Sequence, residues 1–166
     1  MKVRTIVSED FTNYKVPAMF IGCTTCDFKC CTDGGFSPSV CINNPWKDSE
    51  IHNVDDDAII KEYLSNPITS AIVFGLFEPF MQFYEIHEFI DKLRNEYECN
   101  DDIVIYTGYN ETEVLFNIGV LSQYKNIVIK FGRYVPNQEK HFDEVLGVWL
   151  ASDNQHAIRI SKENAQ

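Results

Sequence analysis

Residues 20–43 read Phe-Ile-Gly-Cys-Thr-Thr-Cys-Asp-Phe-Lys-Cys-Cys-Thr-Asp-Gly-Gly-Phe-Ser-Pro-Ser-Val-Cys-Ile-Asn, and they hold five of the six cysteines in the chain. The apolar residues 18–21 predict a buried strand, and the glycines and proline that follow predict a loop. We call residues 22–44 the cysteine loop. Thiolates bind soft metals well, and glycine lets a backbone come close to a ligand, so this loop is suited to enclosing a metal.

Length and charge limit the classes of function. The chain has 166 residues, 45% apolar and 13% aromatic, which predicts one globular domain over residues 1–166. The formal net charge of −11 disfavours nucleic acid as a partner, because an acidic surface repels phosphate groups. A protein partner or a small molecule fits this charge better.

The hydropathy pattern indicates where the protein works. No apolar run approaches the ~18 residues of a membrane span, and the N-terminal segment has no signal-peptide core. We therefore expect a cytoplasmic protein that does not associate with a membrane. In a reducing cytoplasm, clustered cysteines indicate metal or redox chemistry in preference to structural disulfides.

Apolar segments alternate with helical patterns along the chain. We predict strands at residues 2–7, 17–22, 70–75, 103–108, 126–131, 145–150 and 157–160, with helices at about 55–66, 83–97 and 110–124. This series is typical of an α/β fold with mostly parallel strands and right-handed crossovers. Ligands of such sheets bind at the carboxyl ends of the strands. The cysteine loop and the loops at 75–79, 107–109 and 130–133 are thus expected along one rim.

Three interpretations compete for the clustered cysteines. A structural zinc site needs four ligands, but the loop lacks a second C-x2-C pair beside Cys23 and Cys26. Small buried apolar thiols are a second interpretation, which the density of cysteines in a glycine-containing loop disfavours. An iron–sulfur cluster bound by three cysteines, with one iron open to another ligand, is the third and preferred interpretation.

Five motifs, in order, resemble a known family. Cys26-x3-Cys30 followed by Cys41-Ile42-Asn43 resembles the C-x3-C-x2-C-x-N signature of radical S-adenosylmethionine enzymes. The narrower resemblance is to the activating protein of anaerobic (class III) ribonucleotide reductase, whose motifs are Gly-Gly-Glu-Pro, Tyr-Thr-Gly-Tyr, Asp-Gly-Arg-Phe and Gly-Ser-x-Asn-Gln. The corresponding segments here are Gly75–Pro79, Tyr106–Tyr109, Phe131–Tyr134 and Ala151–Gln155.

The resemblance implies both a fold and an activity. The fold would be a small partial (βα) barrel of mostly parallel strands, and the protein a radical S-adenosylmethionine oxidoreductase with a [4Fe–4S] cluster and S-adenosylmethionine as cofactors. An electron donor such as flavodoxin would supply the electron that cleaves S-adenosylmethionine. The resulting radical would take a hydrogen atom from a glycine of an anaerobic ribonucleotide reductase, which makes the protein a glycyl-radical-enzyme activase. No catalytic residue is implied beyond the cluster.

The family motif assigns the cluster to Cys26, Cys30 and Cys41. In the family the second and third cysteines are two residues apart, whereas ten residues separate Cys30 from Cys41. We interpret these ten residues as an insertion, because Cys41 keeps the following x-Asn. Cys23 and Cys31 are alternative ligands.

The resemblance also implies cofactor contacts, which are Val40, Ile42, Gly75, Glu78, Pro79, Thr107 and Lys130. The segment containing Gly75 and Glu78 would receive the methionine amino group, Thr107 and Lys130 would face the ribose or the carboxylate, and Val40 would touch the adenine. Plainer alternatives are open. Glu78 also fits a helix N-terminus, Thr107 a strand end and Lys130 a solvated charge.

Other functions also remain open. The first is a non-catalytic iron–sulfur or electron-transfer module of the same fold, supported by the altered Gly-Leu-Phe-Glu-Pro loop. The second is a radical enzyme that acts on another peptide or a small molecule. The third is a zinc-stabilised interaction protein.

Overall fold

Four apolar segments form the centre of the main sheet, because residues that are apolar on both faces of a strand require cover on both sides. The computed structural model describes residues 1–161. Its strands are β1 Lys2–Val3, β2 Thr5–Asp10, β3 Ala18–Gly22, β4 His52–Asn53, β5 Ala71–Gly75, β6 Asp102–Tyr106, β7 Ile127–Phe131, β8 His141–Asp143, β9 Val148–Leu150 and β10 His156–Arg159. Its α-helices are α1 Lys29–Asp33, α2 Asp56–Ser65, α3 Phe83–Asn95 and α4 Leu115–Leu121.

The main sheet has the strand order β10-β7-β6-β5-β3-β2. Strands β3, β5, β6 and β7 are parallel, and the edge strands β2 and β10 run antiparallel to their neighbours. The prediction of a mostly parallel α/β sheet is therefore confirmed. Within residues 1–161 the two edge strands do not pair with each other, so the sheet is open and the expected partial barrel is not confirmed.

The two faces of the sheet are covered differently. One face packs against the helices and buries Ile72 and Phe74 beside Phe89 and Ile90. The other face buries smaller side chains, including Val73, under the segments that carry Tyr14, Leu146 and Leu150. The predicted strand at 145–150 is only partly right, because β9 pairs with β8 in a separate two-stranded sheet. The segment that carries Tyr14 and the hairpin of β8 and β9 thus cover the second face of the sheet.

The helices begin and end mostly where the sequence predicts. Helix α2 follows Asp55 and carries two more aspartates in its first turn, where negative charge is favourable. Helix α3 begins at the predicted residue and ends at Asn95, two residues before the predicted end at 97. Asn110 and Glu113 form a capping box that opens a short 3-10 turn, so the helix predicted from 110 begins only at Leu115 and ends at Leu121. No helix in residues 1–161 combines the length and the apolar character that crossing a membrane requires.

The carboxyl ends of the parallel strands form one rim, as predicted. Gly22 lies opposite Gly75, and Tyr106 lies opposite Lys130 in the neighbouring strand. The cysteine loop leaves this rim after β3. The loops after β5, β6 and β7 leave the same edge, so the predicted site residues on these loops are brought to one side of the protein.

Candidate metal centre

The five cysteines of the loop differ in accessibility. Cys23 directly follows β3 and is 1% exposed, and Cys31 is 4% exposed in α1. Cys26, Cys30 and Cys41 are half-buried. Half-burial leaves a thiol reachable by a metal while it shields the thiol from bulk water. The three half-buried cysteines are those that the sequence motif assigns to the cluster.

Burial and nearby charged groups shift the pKa values of several thiols in the loop. Burial is the main cause that raises the pKa of Cys26 to about 11, and the carboxylates of Glu78 and Asp27, followed by Cys41, add to this shift. Burial raises the pKa of Cys30 to about 12, with further contributions from Cys31, Cys26 and Cys41. The pKa of Cys23 is also raised, by burial and then by the carboxylates of Glu78 and Glu85. Glu78 thus contributes to the raised pKa of both Cys23 and Cys26, and the neighbouring cysteines contribute mainly to that of Cys30.

Cys31 is a neighbour of Cys30 in space as well as in sequence. The two Sγ atoms are 3.9 Å apart. A second contact to a cysteine sulfur comes from the backbone N–H of Phe28, which donates to the Sγ of Cys26 at 3.3 Å.

Salt bridges fix the cysteine loop to the rim. The guanidinium of Arg133 binds both carboxylate oxygens of Glu113, at 2.6 and 2.7 Å, and Asp33 of α1 at 2.7 Å. Lys29 pairs with the same Asp33 at 3.0 Å. The sequence drew attention to the Gly-Arg pair after β7 only as part of a motif. The role of Arg133 was missed, because its partners lie far away in the chain.

Two further contacts hold the ends of the loop. The hydroxyl of Tyr109 donates to Asp27 at 2.8 Å, next to Cys26. The side-chain amide of Asn43 donates to the carbonyl of Leu76, which ties the segment after Cys41 to the loop after β5. The segment between Cys30 and Cys41 is thus anchored on both sides.

Glu78 joins two of the rim loops. Its carboxylate accepts hydrogen bonds from the Thr107 hydroxyl at 2.7 Å, the Gly108 N–H at 2.9 Å and the Phe80 N–H at 3.1 Å. The contact to Phe80 caps the 3-10 helix that begins at Pro79, so the helix N-terminus alternative describes part of its role. Glu78 is 4% exposed, and burial raises the pKa of its carboxyl despite these hydrogen bonds.

Lys130 is buried, so the plainer alternative of a solvated charge is wrong, and the proposed cofactor contact stays a prediction. Only 6% of the residue is exposed, and its ammonium donates to the carbonyl of Gly132 at 2.9 Å. Burial lowers the pKa of Lys130 to about 8, although Glu78 and Cys30 act in the opposite direction. Thr107 directly follows the last residue of β6, and its hydroxyl bridges Glu78 and the N–H of Tyr109.

The loop after β5 contains a strained position. Leu76 has a φ of 71°, in the left-handed region that glycine adopts without cost. This residue stands where the resembled motif has its second glycine. At Gly75 an added Cβ would lie 3.1 Å from the Phe20 ring, so the close approach of these two strands requires a small residue.

A cavity of about 270 Å³ opens beside this loop. It is lined by Thr5, Val7, Asp10, Asn13, Phe20, Trp46 and Leu76. Val40 and Ile42 are 44% and 88% exposed and do not line it. Pro79 is buried at the start of its 3-10 helix. Val40, the predicted adenine contact, therefore does not line this cavity. Trp46 does line it, although nothing in the sequence indicated this.

The donor set fits an iron–sulfur cluster. Among residues 1–161, no three His, Cys, Asp or Glu side chains converge on one point as the ligands of a single metal ion do. In a [4Fe–4S] cluster each cysteine binds a different iron, so the ligand sulfurs need not converge on a single point. Grouped thiols with raised pKa values hold their protons until a metal displaces them, so binding would release protons.

Comparison with known proteins gives one match. A family model described as a 4Fe-4S single cluster domain matches residues 18–158, which include the parallel strands, the cysteine loop and the rim. Neither the curated proteins nor the solved structures gave a match to the chain. The family match favours the iron–sulfur interpretation of the cysteines over the zinc interpretation. The chain is an iron–sulfur cluster-binding domain, and it belongs to the 4Fe-4S single cluster domain family.

Proposed function

We propose that the protein is a radical S-adenosylmethionine enzyme that works in the cytoplasm as a glycyl-radical-enzyme activase. One observation carries the proposal. Three half-buried thiols lie in the loop that leaves the carboxyl rim of a parallel sheet, and a buried carboxylate and a buried ammonium group lie at the same rim. A simple electron-transfer centre needs the thiols but has no evident use for the buried charges.

Cys26, Cys30 and Cys41 are the proposed ligands of the cluster. When bound, a [4Fe–4S] cluster supplies a low-potential electron that breaks a carbon–sulfur bond of S-adenosylmethionine. Three cysteine ligands leave one iron open for that molecule. Arg133 and Tyr109 hold the loop in place, so the ligands keep their positions while the protein excludes water.

Glu78 and Lys130 are the proposed contacts for the amino-acid end of S-adenosylmethionine. This end carries an ammonium group and a carboxylate, and the rim offers one buried group of each opposite charge. The carboxylate of Glu78 is fixed by Thr107 and the Gly108 N–H, so little reorganisation is needed when an ammonium group approaches. Gly75 lets the backbone come close beside them.

The cavity beside Leu76 is the proposed adenine site. Its wall combines apolar side chains with the ring of Trp46, and an aromatic ring offers a stacking surface for a purine. The adenine contact at Val40 stays an alternative prediction. Asp10 and Asn13 supply the polar groups that a base needs for orientation.

The proposed partner is an anaerobic ribonucleotide reductase, with an electron donor such as flavodoxin. Support comes from the five motifs that resemble its activating protein in order along residues 17–160. The acidic chain, with a net charge of −11, would favour a basic docking surface on the partner.

A second candidate is a non-catalytic iron–sulfur module for electron transfer. Leu76 favours it, because a side chain in the left-handed region occupies the position of the motif's second glycine. Cys31 favours it as well if its thiol binds the fourth iron and closes the cluster.

The test is cleavage of S-adenosylmethionine. The protein is reconstituted anaerobically with iron and sulfide, reduced with dithionite and mixed with S-adenosylmethionine, and 5′-deoxyadenosine is measured. The expected result is product in proportion to bound cluster, lost in Cys26→Ala and retained in the control Cys99→Ala. A full cluster without product, even with a candidate reductase present, would favour the electron-transfer module.

A further inference from the structure

Cys31 has no part in the proposed reaction, yet its position is well defined. Its Sγ lies 3.9 Å from the Sγ of Cys30, and the residue is 4% exposed. Its N–H donates to the carbonyl of Phe28 at 2.9 Å, and its carbonyl accepts from the N–H of Phe36 at 2.9 Å. The backbone is therefore fixed on both sides, and the thiol is held against its neighbour without contact to bulk water.

The direction of this sulfur–sulfur hydrogen bond follows from ligation. While both residues are thiols, either sulfur can donate. Once Cys30 binds iron as a thiolate it has no proton left, so only the thiol of Cys31 can donate. The inference thus depends on the proposed assignment of Cys30 as a ligand.

We propose that Cys31 is a positioning residue that donates an S–H hydrogen bond to the cluster ligand Cys30 and raises the reduction potential of the cluster. A hydrogen bond to a ligand sulfur withdraws negative charge from it and favours the reduced cluster, which carries one more electron. The N–H of Phe28 makes the equivalent contact to Cys26 at 3.3 Å. Two of the three proposed ligands would then have a hydrogen-bond donor, one of them removable by substitution.

The geometry favours this role over a fourth ligand. Sulfur ligands of different irons lie at different corners of a cluster, whereas Cys30 and Cys31 are already in contact. Cys31 is also more deeply buried than the half-buried cysteines 26, 30 and 41. A donor that is not a ligand leaves the fourth iron open, as the proposed reaction requires.

The test compares Cys31→Ala with Cys31→Ser in the reconstituted full-length chain, with Cys99→Ala as the control. Serine keeps a donor at the same position, and alanine removes it. Iron and sulfide are counted, and the midpoint potential is measured by redox titration. We expect wild-type iron content in all variants, a more negative potential in Cys31→Ala, and a potential in Cys31→Ser restored towards that of wild type.

Two results would overturn the inference. Loss of iron from both Cys31 variants would show that Cys31 binds the cluster. An unchanged midpoint potential in Cys31→Ala would show that a hydrogen bond from Cys31 does not raise the potential. If alanine prevents assembly of the cluster, the serine variant decides. Full iron content with a midpoint potential close to that of wild type supports a donor, and loss of iron or a large fall in potential contradicts it.

The outcome is separable from the proposed function. The deoxyadenosine assay on the wild-type protein tests the function without reference to Cys31. Product formed by wild type together with an unchanged potential in Cys31→Ala would refute only the present inference. A more negative potential in that variant, with no product from wild type, would refute only the function.

Discussion

Arg133 gives the most quantitative test of how the rim is held together. Its guanidinium makes a two-pronged contact to Glu113, at 2.6 and 2.7 Å, and its side chain is 12% exposed. Water therefore screens this pair less than an ordinary surface pair. Charge-assisted hydrogen bonds of this kind stabilise by about 1.5–3 kcal/mol, which partial exposure reduces. We predict that Arg133→Met lowers the free energy of unfolding of the metal-free protein by about 1–2 kcal/mol at pH 7.

The pH dependence of this effect has a definite sign. The hydrogen bonds from Arg133 are the main cause that lowers the pKa of Glu113 from 4.5 to about 2. A carboxyl whose pKa is lowered by folding stabilises the folded state above its unfolded pKa. That stabilisation disappears as the pH falls from 4.5 towards 2. The difference between wild type and Arg133→Met should therefore be full at pH 7 and clearly smaller at pH 3.

Urea unfolding of wild type, Arg133→Met, Glu113→Gln and the double variant measures the coupling. Additive effects of the two single substitutions, or an equal loss at pH 3 and pH 7, would refute the reasoning. Arg159→Met is a matched control, because Arg159 binds Asp102 at the amino end of β6, away from the rim at the carboxyl end. Both substitutions break an Arg–carboxylate pair, but only Arg133→Met should speed the release of iron to a chelator.

Three further predictions concern the site itself. Alanine at Cys26, Cys30 or Cys41 should lower the iron bound after reconstitution, and a full cluster in Cys41→Ala would refute the insertion. Glu78→Gln should weaken binding of S-adenosylmethionine by about 10–100-fold in anaerobic calorimetry, as expected for loss of a charged hydrogen bond, and unchanged affinity would contradict its role. Lys130→Met should stabilise the metal-free protein by about 1–3 kcal/mol at pH 7, because burial lowers the pKa of Lys130 to about 8 and makes its charge unfavourable. Urea unfolding should show this gain shrink between pH 8 and 10.5, where the native lysine is already neutral, and a gain independent of pH would contradict it.

The sequence predicted the parallel part of the fold because its signals are local. Strand β5 is a continuous apolar run, β6 and β7 each contain an apolar run of at least three residues, and α3 between β5 and β6 has regular apolar spacing. Short crossovers then leave few possible topologies. The parallel strand order alone predicts that the loops after these strands lie along one rim.

The edges and the second face could not be predicted in the same way. Strand β10 is antiparallel to β7, and the hairpin of β8 and β9 lies over Val73 and its neighbours. The direction of β10 and the position of this hairpin depend on contacts between residues that are distant in the chain. A short strand with a weak alternation pattern does not specify its partner, so the sequence could not distinguish an open sheet from a partial barrel.

The sequence predicted the cysteines of the site, but it did not predict the residues that surround them and hold the loop in place. Cysteine is rare and reactive, so its clustering stands out in a sequence. The burial of Lys130, the network around Arg133 and the cavity beside Trp46 depend on which loops meet at the rim. A charged residue in a sequence is usually solvated, and only the fold shows that Lys130 is not.

The most direct test of the central claim is whether one iron of the cluster is open. The electron paramagnetic resonance spectrum of the reduced, reconstituted protein is recorded before and after addition of S-adenosylmethionine. Three cysteine ligands predict a changed spectrum with about one molecule bound per cluster, because an iron without a cysteine ligand accepts another donor. An unchanged spectrum from a fully assembled cluster would contradict the account and indicate an electron-transfer centre with four protein ligands.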